Sequence, residues 1–506
     1  MFASPLLPYP KLTSVSRRFP LWGLVALSFS GYLALCLWMP LLAHYGRLPL
    51  ADVRTFSPSL LQGLLYGLLI GGLFALYAAA FAQVRQGQKR LSLPQLLLAT
   101  LLFILPLLFT YPINATDIYR YVIGGQTTSL YDANPFATPP SQLPDASIAA
   151  YAGEWADATS PYGPVWETAA AAITRVSGNN LLLGLLMFKG LAALLHLAIA
   201  GLIWQVLAGQ ETAVRTAFTL LWAWNPGLLL TFVVDGHNDI LMLFWLLLGV
   251  WVMRRGHLTT GLLLMVLAPL TKFIGLLPLP FFFLAAWRQI PAWRGRARLA
   301  AGTAVGALAL VLITFLPFGS PFHYAQRLLY EATSVPGFSP VVLLFYLANL
   351  LGIPPTYSLL YGLGGALALT AVGAGLWLLW LAAHGRSPIR SAADIFALYI
   401  AQALSFRIWY AAWPFPWLLL DAAEAPDPRQ VFRLQAGLWF LLTSQLSVLI
   451  YGHLRAYALG GSSILAHLVG VPFTFGLPLF AAWRQYRALK PAEAYLVSIQ
   501  TPRVCS

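Results

Sequence analysis

Asp117 lies where a carboxylate could do chemistry, at the end of a strongly apolar segment in YPINATDIYRYVIGG, residues 111–125. Acidic residues number 16 among 506, so a carboxylate at an expected membrane surface points to function. In a helix, Asp117, Arg120, Tyr121 and Gly124 share one face. A carboxylate at an apolar boundary beside an arginine suits a general base. The alternative is a carboxylate that only satisfies N–H groups at a helix start.

Two proline-containing segments rich in aromatic residues follow Asp117. They read SLYDANPF at 129–136 and SPYGPVWE at 160–167, and the second contains Tyr162. Aromatic faces stack on the C–H groups of sugars, so these segments suggest a sugar-binding surface that includes Tyr162. The alternative is a packed cap whose aromatic side chains belong to the interfacial belt of a membrane protein.

The densest polar cluster in the chain is VVDGHNDILM, residues 233–242. It brings Asp235, His237, Asn238 and Asp239 to the start of an apolar helix. These side chains cannot simply turn into lipid, which favours a functional pocket over helix capping by Asn238 or Asp239. Hydrogen bonding to a substrate is favoured over a metal site, although these ligand types suit a divalent ion.

Three cations lie near the same predicted membrane face. Lys272 stands between apolar runs in LTKFIGLLPLP, where it could hold a phosphate or snorkel to the interface. Arg407 lies beside Trp409 and Tyr410 in FRIWYAAWPFPW, and Arg455 follows in YGHLRAY. A guanidinium can bind a phosphate through two hydrogen bonds, whereas each arginine alone could be an interfacial anchor.

The elements that position these residues are membrane-spanning helices. Hydrophobic residues make up 59% of the chain and charged residues 9%, well below the usual charged fraction of about 25%. The net charge of +14 is spread over short basic loops in the positive-inside pattern, so it needs no nucleic-acid partner. With two cysteines, Cys36 and Cys505, a disulfide framework is not supported.

The sequence predicts an all-α polytopic membrane protein with about 14 transmembrane helices and a long extracytoplasmic loop after the third span. The segment 259–288 is interpreted as two short helices that meet near Lys272, and 341–353 as an interfacial segment. The other predicted spans are 21–43, 59–83, 93–113, 180–206, 216–233, a sixth that returns to MRRG, one that ends at 315–321, 356–383, 391–408, 413–423, 431–451 and 463–483.

We treat residues 1–506 as a single membrane domain with both termini in the cytoplasm and the active site outside. Within it, residues 1–92 hold the first two spans and 114–178 form the extracytoplasmic loop. Residues 179–490 hold the remaining spans, and 491–506 form a cytoplasmic tail.

The ordered set of motifs resembles a known family. TDIYRY, then NPF and SPYGPVWE, then WNPGLLLTFVVDGHNDILM, LTKFIGLLPLP and an Arg–Trp–Tyr–Trp–Pro turn are similar to glycosyltransferases of the C superfamily. The narrower resemblance is to the polyprenol-phosphate-mannose-dependent α-(1→6)-mannosyltransferases and their bacterial relatives. It covers roughly residues 95–460.

The resemblance implies a membrane glycosyltransferase that moves a hexose, mannose by analogy, from a polyprenyl-phosphate donor to a glycan or glycolipid acceptor with inversion. The acidic residue of such enzymes maps to Asp117, which would be the general base. Many superfamily members carry an acidic pair there, whereas this chain has Thr116–Asp117. We therefore expect no tightly bound metal and no cofactor, with room left for a weakly bound divalent cation.

The expected substrate-binding residues share polar or aromatic side chains on the outer face: Arg120, Tyr121, Tyr162, His237, Asn238, Asp239, Lys272, Arg407, Trp409, Tyr410 and Arg455. The main alternative is a polytopic transporter or a flippase of lipids or glycolipids. Transporters often carry inverted repeats and mid-membrane charges, whereas the charges here gather at one face. That gathering also argues against a non-catalytic scaffold.

Overall fold

The computed structural model describes residues 20–85, 91–332, 337–424 and 427–487, and these residues are helical with short connections. The predicted cytoplasmic tail lies outside the described residues, as do six basic residues of the predicted inner loops, Lys11, Arg17, Arg18, Lys89, Arg90 and Lys490.

We label the helices of nine residues or more in chain order. In the N-terminal half they are α1 (Leu21–Trp38), α2 (Leu60–Arg85), α3 (Leu93–Leu108), α4 (Asp117–Ser129), α5 (Pro164–Ser177), α6 (Leu181–Val206), α7 (Thr212–Ala223), α8 (Asp239–Arg254) and α9 (Leu258–Thr271). In the C-terminal half they are α10 (Leu279–Gln289), α11 (Trp293–Phe315), α12 (Phe322–Ala332), α13 (Pro340–Leu350), α14 (Tyr357–Ala383), α15 (Pro388–Gln402), α16 (Phe415–Glu424), α17 (Pro428–Leu449) and α18 (Ser463–Val471).

Seven helical stretches of the described chain are long and apolar enough to cross a membrane, which makes this a multi-pass membrane protein. They are Leu21–Trp38, Leu60–Arg85, Leu181–Val206, Trp293–Phe318, Tyr357–Ala383, Pro428–Tyr457 and Ser463–Arg487. The pair Thr212–Ala223 and Pro226–Val234, bent by 43°, would make an eighth.

The count of about 14 spans therefore stays a prediction. Several predicted spans are helices shorter than a bilayer crossing. Apolar helices of 10–17 residues are Leu93–Leu108, Leu258–Thr271, Phe273–Gln289 and Pro340–Leu350. A helix rises about 1.5 Å per residue, so these cross a bilayer only together with a neighbouring segment.

The long helices differ in how much of their surface the rest of the chain covers. Only 11% of the apolar window of Trp293–Phe318 and 6% of that of Tyr357–Ala383 is buried, whereas half of Leu181–Val206 is buried. Because the first two are almost entirely apolar and exposed, their surfaces are suited to contact lipid. The interior lies around α6, α7 and α8, where the predicted polar cluster begins.

The predicted outer loop contains helices of its own. Asp117 begins α4, and α5 packs against α4. Before α4, Tyr111 donates its N–H to the carbonyl of Met39 at 2.8 Å, and the N–H of Val53 donates to Ile113 at 3.2 Å. The segment that leads to Asp117 is therefore held by the chain between α1 and α2.

Candidate functional site

Asp117 is the first residue of α4, and its side chain is 14% exposed. Thr116 precedes it without a side-chain capping bond, and the Asp117 carboxylate forms no hydrogen bond with the described residues. A capping role for this carboxylate is therefore not what the structure shows. Asp117 is a partly exposed acceptor at the edge of a buried polar cluster.

The DGHND segment forms a tight turn directly beside Asp117. Gly236 has φ +70, and a β-carbon there would lie 2.5 Å from Cδ1 of Ile118, so the turn requires glycine. The turn places Nδ1 of His237 3.8 Å from Oδ2 of Asp117 and 3.9 Å from Oδ2 of Asp239. An imidazole thus lies between two carboxylates from different parts of the chain.

His237 is uncharged at neutral pH. Burial lowers its pKa to about 4, although Asp117 and Asp239 act in the opposite direction. Neither ring nitrogen has a hydrogen-bond partner among the described residues. A buried neutral imidazole with both nitrogens free can donate one hydrogen bond and accept another from a bound molecule.

Asn238 offers a second unsatisfied group next to His237. It is fully buried, and neither Oδ1 nor Nδ2 of its amide has a partner among the described residues. It precedes α8 without capping it, and its backbone N–H donates to the hydroxyl of Tyr121 at 3.4 Å. Since buried amides are normally hydrogen-bonded, this one is a candidate ligand contact.

Asp239 is fully buried and fully partnered. Both of its oxygens accept from Nζ of Lys272 at 2.9 Å, and Oδ1 also accepts from Nε1 of Trp413 at 2.5 Å. The predicted meeting of two short helices near Lys272 is present, because α9 ends at Thr271 and a 3-10 turn begins at Phe273. Lys272 is thus held by an ion pair, with its side chain 18% exposed.

Aromatic rings close the cluster from the C-terminal half. Trp409 stacks on the His237 ring with centroids 4.0 Å apart, and Tyr410 stacks on Trp413 at the same distance. Arg407 is exposed and acts electrostatically on His237. Its guanidinium forms no hydrogen bond with the part of the chain that the structure describes, so it is available to an anion.

Arg120, Tyr121 and Tyr162 join the cluster from residues 114–178, the predicted outer loop. Nη2 of Arg120 donates to the carbonyl of Thr159 at 2.9 Å, and its guanidinium lies 5.5 Å from the ring centre of Tyr162. Nζ of Lys272 lies 5.8 Å from the same ring. The buried Tyr162 ring therefore has two cations within about 6 Å of its centre and packs edge-on against Tyr121.

Arg455 lies elsewhere. It acts electrostatically on His467, whose ring belongs to an aromatic group with Phe338, Tyr346 and Tyr451. It has no contact with Asp117, His237 or Asp239 within the described ranges. Of the three predicted cations, Lys272 and Arg407 are beside the cluster and Arg455 is apart from it.

Two residues of this region were missed as site residues. Trp413 bonds Asp239, and its spacing of four from Trp409 was the available signal. Glu167 lies in SPYGPVWE, is 2% exposed and accepts from the hydroxyl of Ser160 at 2.5 Å. Burial raises the pKa of Glu167 to about 7, which Ser160 and Arg120 partly oppose.

Among the described residues, no group of three or more His, Cys, Asp or Glu side chains is arranged to hold a metal ion. In the DGHND turn, Asp239 is already committed to Lys272 and Trp413. The expectations about metal and cofactor remain predictions.

Comparison with known proteins places the chain in a family. Residues 24–288 match the family model described as alpha-(1->6)-mannopyranosyltransferase, N-terminal domain. The chain is 28% identical over 216 residues to alpha-(1->6)-mannopyranosyltransferase A of Mycobacterium tuberculosis, covering 42% of this chain and 41% of that protein. It is 30% identical over 231 residues to alpha-(1->6)-mannopyranosyltransferase B of Corynebacterium glutamicum, covering 42% of this chain and 37% of that one.

The matches span about two fifths of the length of these curated relatives. The matched residues 24–288 nevertheless include Asp117, the whole DGHND turn and Lys272, which are the polar centre of the site. With a model match over more than half its length, the chain belongs to the alpha-(1->6)-mannopyranosyltransferase family.

Proposed function

We propose that this protein transfers a mannosyl group from a polyprenyl-phosphate donor to a hydroxyl of a glycan or glycolipid acceptor, on the extracytoplasmic face of the cell membrane. The observation that carries the proposal is the unbonded, partly exposed Asp117 carboxylate, 3.8 Å from the buried imidazole of His237. Membership of the family supports the choice of mannose. A multi-pass fold supports a donor whose lipid tail stays in the bilayer.

The reaction is a single displacement. Asp117 accepts the proton of the acceptor hydroxyl, and the resulting oxygen forms a bond to the anomeric carbon. The bond from that carbon to the phosphate oxygen breaks, and its electron pair leaves with polyprenyl phosphate. Attack opposite to the leaving group inverts the configuration, so a β-linked donor gives an α-linked product. Asp117 then returns its proton to water.

The leaving phosphate gains negative charge, which a cation must stabilise. Arg407 is the cation best placed for this, because it is exposed and free of other partners while it lies near His237. Lys272 contributes less, since Asp239 already balances its charge. Arg455 would serve only a part of the donor that reaches the Tyr451 and His467 group.

The neutral imidazole of His237 and the free amide of Asn238 are suited to sugar hydroxyls. Each can donate and accept, and each is buried without a partner. Trp409 is partly exposed and stacks on His237 with one ring face, so the other face serves the C–H groups of a sugar. Tyr162 is buried beside Arg120 and Lys272 and supports those cations. In this arrangement Asp117 accepts the proton, and the DGHND turn orients the sugar.

The test is transfer of radiolabelled mannose from synthetic polyprenyl-phosphate mannose by the full chain in lipid nanodiscs. We expect Asp117→Asn to lower kcat by about 100-fold to 10,000-fold, the usual contribution of a general base. Asp157→Asn is the matched control, because Asp157 is an exposed carboxylate of the same outer segment. It should transfer like the wild type.

Full transfer by Asp117→Asn would remove the role given to that residue. Movement of the donor across a liposome membrane without any transfer product would instead favour a transporter or flippase. Glucose and arabinose donors on the same carrier test the sugar. Methylation analysis of the product gives its linkage position, and its anomeric configuration, determined by NMR or by digestion with an α-mannosidase, tests inversion.

A further inference from the structure

Two fully buried charged side chains lie behind the site and contact no expected substrate group. Lys189 projects from α6, and Asp235 opens the DGHND turn. Both are 0% exposed, and the two charges attract each other. Burial of two charges is costly unless hydrogen bonds and an opposite charge offset it, so their contacts indicate what they do. All of these contacts go through Nζ of Lys189 and Oδ1 of Asp235, while Oδ2 of Asp235 has no partner among the described residues.

Lys189 joins the ends of two helical segments. Its Nζ donates to the carbonyl of Leu107 at 3.3 Å, to that of Val233 at 3.0 Å and to that of Val234. Leu107 lies at the C-terminal end of α3, and Val233 and Val234 end a π-helical turn. The last carbonyls of a helix lack partners within it and carry negative partial charge, which an ammonium group complements. All three ammonium donors are used in this way.

Asp235 joins the same two segments at positions closer to Asp117 and His237 in the chain. Its Oδ1 accepts from the backbone N–H groups of Ile113 at 3.0 Å and Asn114 at 3.2 Å. These amides belong to the non-helical segment that leads from α3 to Asp117. Lys189 and Asp235 therefore hold both backbone segments that enter the site. One segment leads to Asp117 and the other leads to His237.

The turn that follows transmits this alignment to the site. Gly236 stands between Asp235 and His237 and lies against Ile118, the neighbour of Asp117. Because the backbone on both sides is fixed, the distance of 3.8 Å between Asp117 and His237 depends on the two contacts behind it. Movement of either backbone segment by about 1 Å would change the distance between Asp117 and His237 by a comparable amount.

We propose that Lys189 and Asp235 are positioning residues that set the alignment of Asp117 with His237. The inference rests on the proposed function, because it explains how that site is held. Neither side chain reaches solvent or the substrate groups, so each acts through the backbone that it binds.

The kinetic test uses three changes in the full chain, assayed with polyprenyl-phosphate mannose. Asp235→Ala should lower kcat about 10-fold to 100-fold, the size of effect expected when a base is displaced by about 1 Å. Asp235→Asn keeps an oxygen for both N–H groups, so it should retain more activity. Lys189→Met should also lower kcat, and Lys189→Met/Asp235→Asn should lose less than the product of the single losses.

Two further readouts separate positioning from general damage. The KM for the donor should stay near the wild-type value, because no donor contact is removed. Hydrogen exchange of the peptide 109–118 should become faster in Asp235→Ala. The control is His196→Leu, since His196 is a buried residue of α6 that binds the carbonyl of Ala223 away from the site. It should lower thermal stability and leave kcat unchanged.

The inference fails if Asp235→Ala keeps both wild-type kcat and wild-type exchange in residues 109–118. It also fails if the double variant loses the full product of the single losses. If the wild-type protein transfers no mannose, the proposed function is refuted instead. Faster hydrogen exchange in Asp235→Ala would then still support the hold of Asp235 on the backbone before Asp117. Should Asp235→Ala not fold, Asp235→Asn and the double variant decide by the same measurements.

Discussion

At the scale of single residues, Asp239 links the two halves of the site. Its carboxylate binds Lys272 and Trp413, whose positions in the chain are 141 residues apart, so one buried charge fixes two remote segments. Its neighbour His237 is free on both nitrogens. The turn therefore combines a structural carboxylate with polar groups that have no partner among the described residues.

Removal of one member of the Asp239–Lys272 pair should destabilise the protein. In Lys272→Met the buried carboxylate loses its counter-charge, and we expect a loss of about 3–5 kcal/mol. The apparent Tm in detergent measures this. Lys272→Gln/Asp239→Asn removes both charges, so it should recover much of the stability lost in Lys272→Met.

The same double variant tests whether the ion pair serves only the fold. If Lys272 also stabilises the leaving phosphate, the stable double variant will still have a reduced kcat. A double variant with both wild-type stability and wild-type transfer would restrict Lys272 to a structural role.

At the scale of elements, the contact between α4 and α5 contains a buried acid, Glu167. The folded chain keeps Glu167 protonated up to about pH 7, whereas the unfolded chain releases the proton near 4.5. The folded state therefore becomes less stable as pH rises between these values, by on the order of 3 kcal/mol, and no further above about pH 7.

Glu167→Gln keeps an oxygen for the hydroxyl of Ser160 and removes this titration. We expect it to raise the apparent Tm relative to the wild type at about pH 8 and to change it little at about pH 4. Glu154→Gln, at an exposed position in the same segment, is the control and should show no such difference. An equal effect at both pH values would mean that folding does not raise the pKa of Glu167.

Gly163 fastens the predicted outer loop, residues 114–178, to the break before Lys272. Its N–H donates to the carbonyl of Thr271 at 2.9 Å, and a β-carbon at this position would lie 2.0 Å from the carbonyl oxygen of Leu270. Gly163→Ala should force the two backbones apart, at a cost of about 1–3 kcal/mol.

Transfer activity should fall in Gly163→Ala as well, because Tyr162 and Lys272 sit on either side of this contact. Gly201→Ala is the matched control, since nothing lies within 4 Å of a β-carbon added at that position of α6. Its stability should equal or exceed that of the wild type. Thermal melts and transfer assays on both variants make the comparison.

Many residues of the candidate site could be predicted from the sequence, because polar residues are conspicuous in an apolar chain. Asp117, the DGHND turn, Lys272 and the aromatic turn at 407–410 were all predicted and lie together. The partners of Lys272 and Trp413 were not predictable, because pairing between distant segments leaves no local pattern. The sequence around Arg455 is similar to that around Lys272 and Arg407. Only the packing of the folded chain shows that Arg455 lies apart from the cluster.

At the scale of the whole molecule, the apolar composition predicted the class of fold. It was a poorer guide to how many helices cross the membrane. Long helices such as α6 and α14 were predicted nearly to the residue. Shorter apolar helices such as α9 and α16 were read as spans, since a buried helix and a lipid-facing one have similar composition. Which of them cross the membrane depends on packing that hydropathy does not encode.

Orientation is testable by cysteine labelling. The positive-inside pattern predicts that Asp157 is extracytoplasmic and Arg255 cytoplasmic. After replacement of Cys36 and Cys505 by serine, Asp157→Cys in intact cells should react with a membrane-impermeant maleimide, whereas Arg255→Cys should react only after permeabilisation. The reverse result would invert the topology and move the proposed reaction to the cytoplasm.

The bond from Trp413 to Asp239 has a consequence for how relatives can diverge. The family model ends at residue 288, so the matched part of the chain contains Asp239 and lacks both Trp409 and Trp413. The carboxylate of Asp239 thus pairs with a ring supplied by a part of the chain that the match to the family model does not cover. A chimera that joins this N-terminal part to the C-terminal part of a relative would work only if an indole meets Asp239 in the same register.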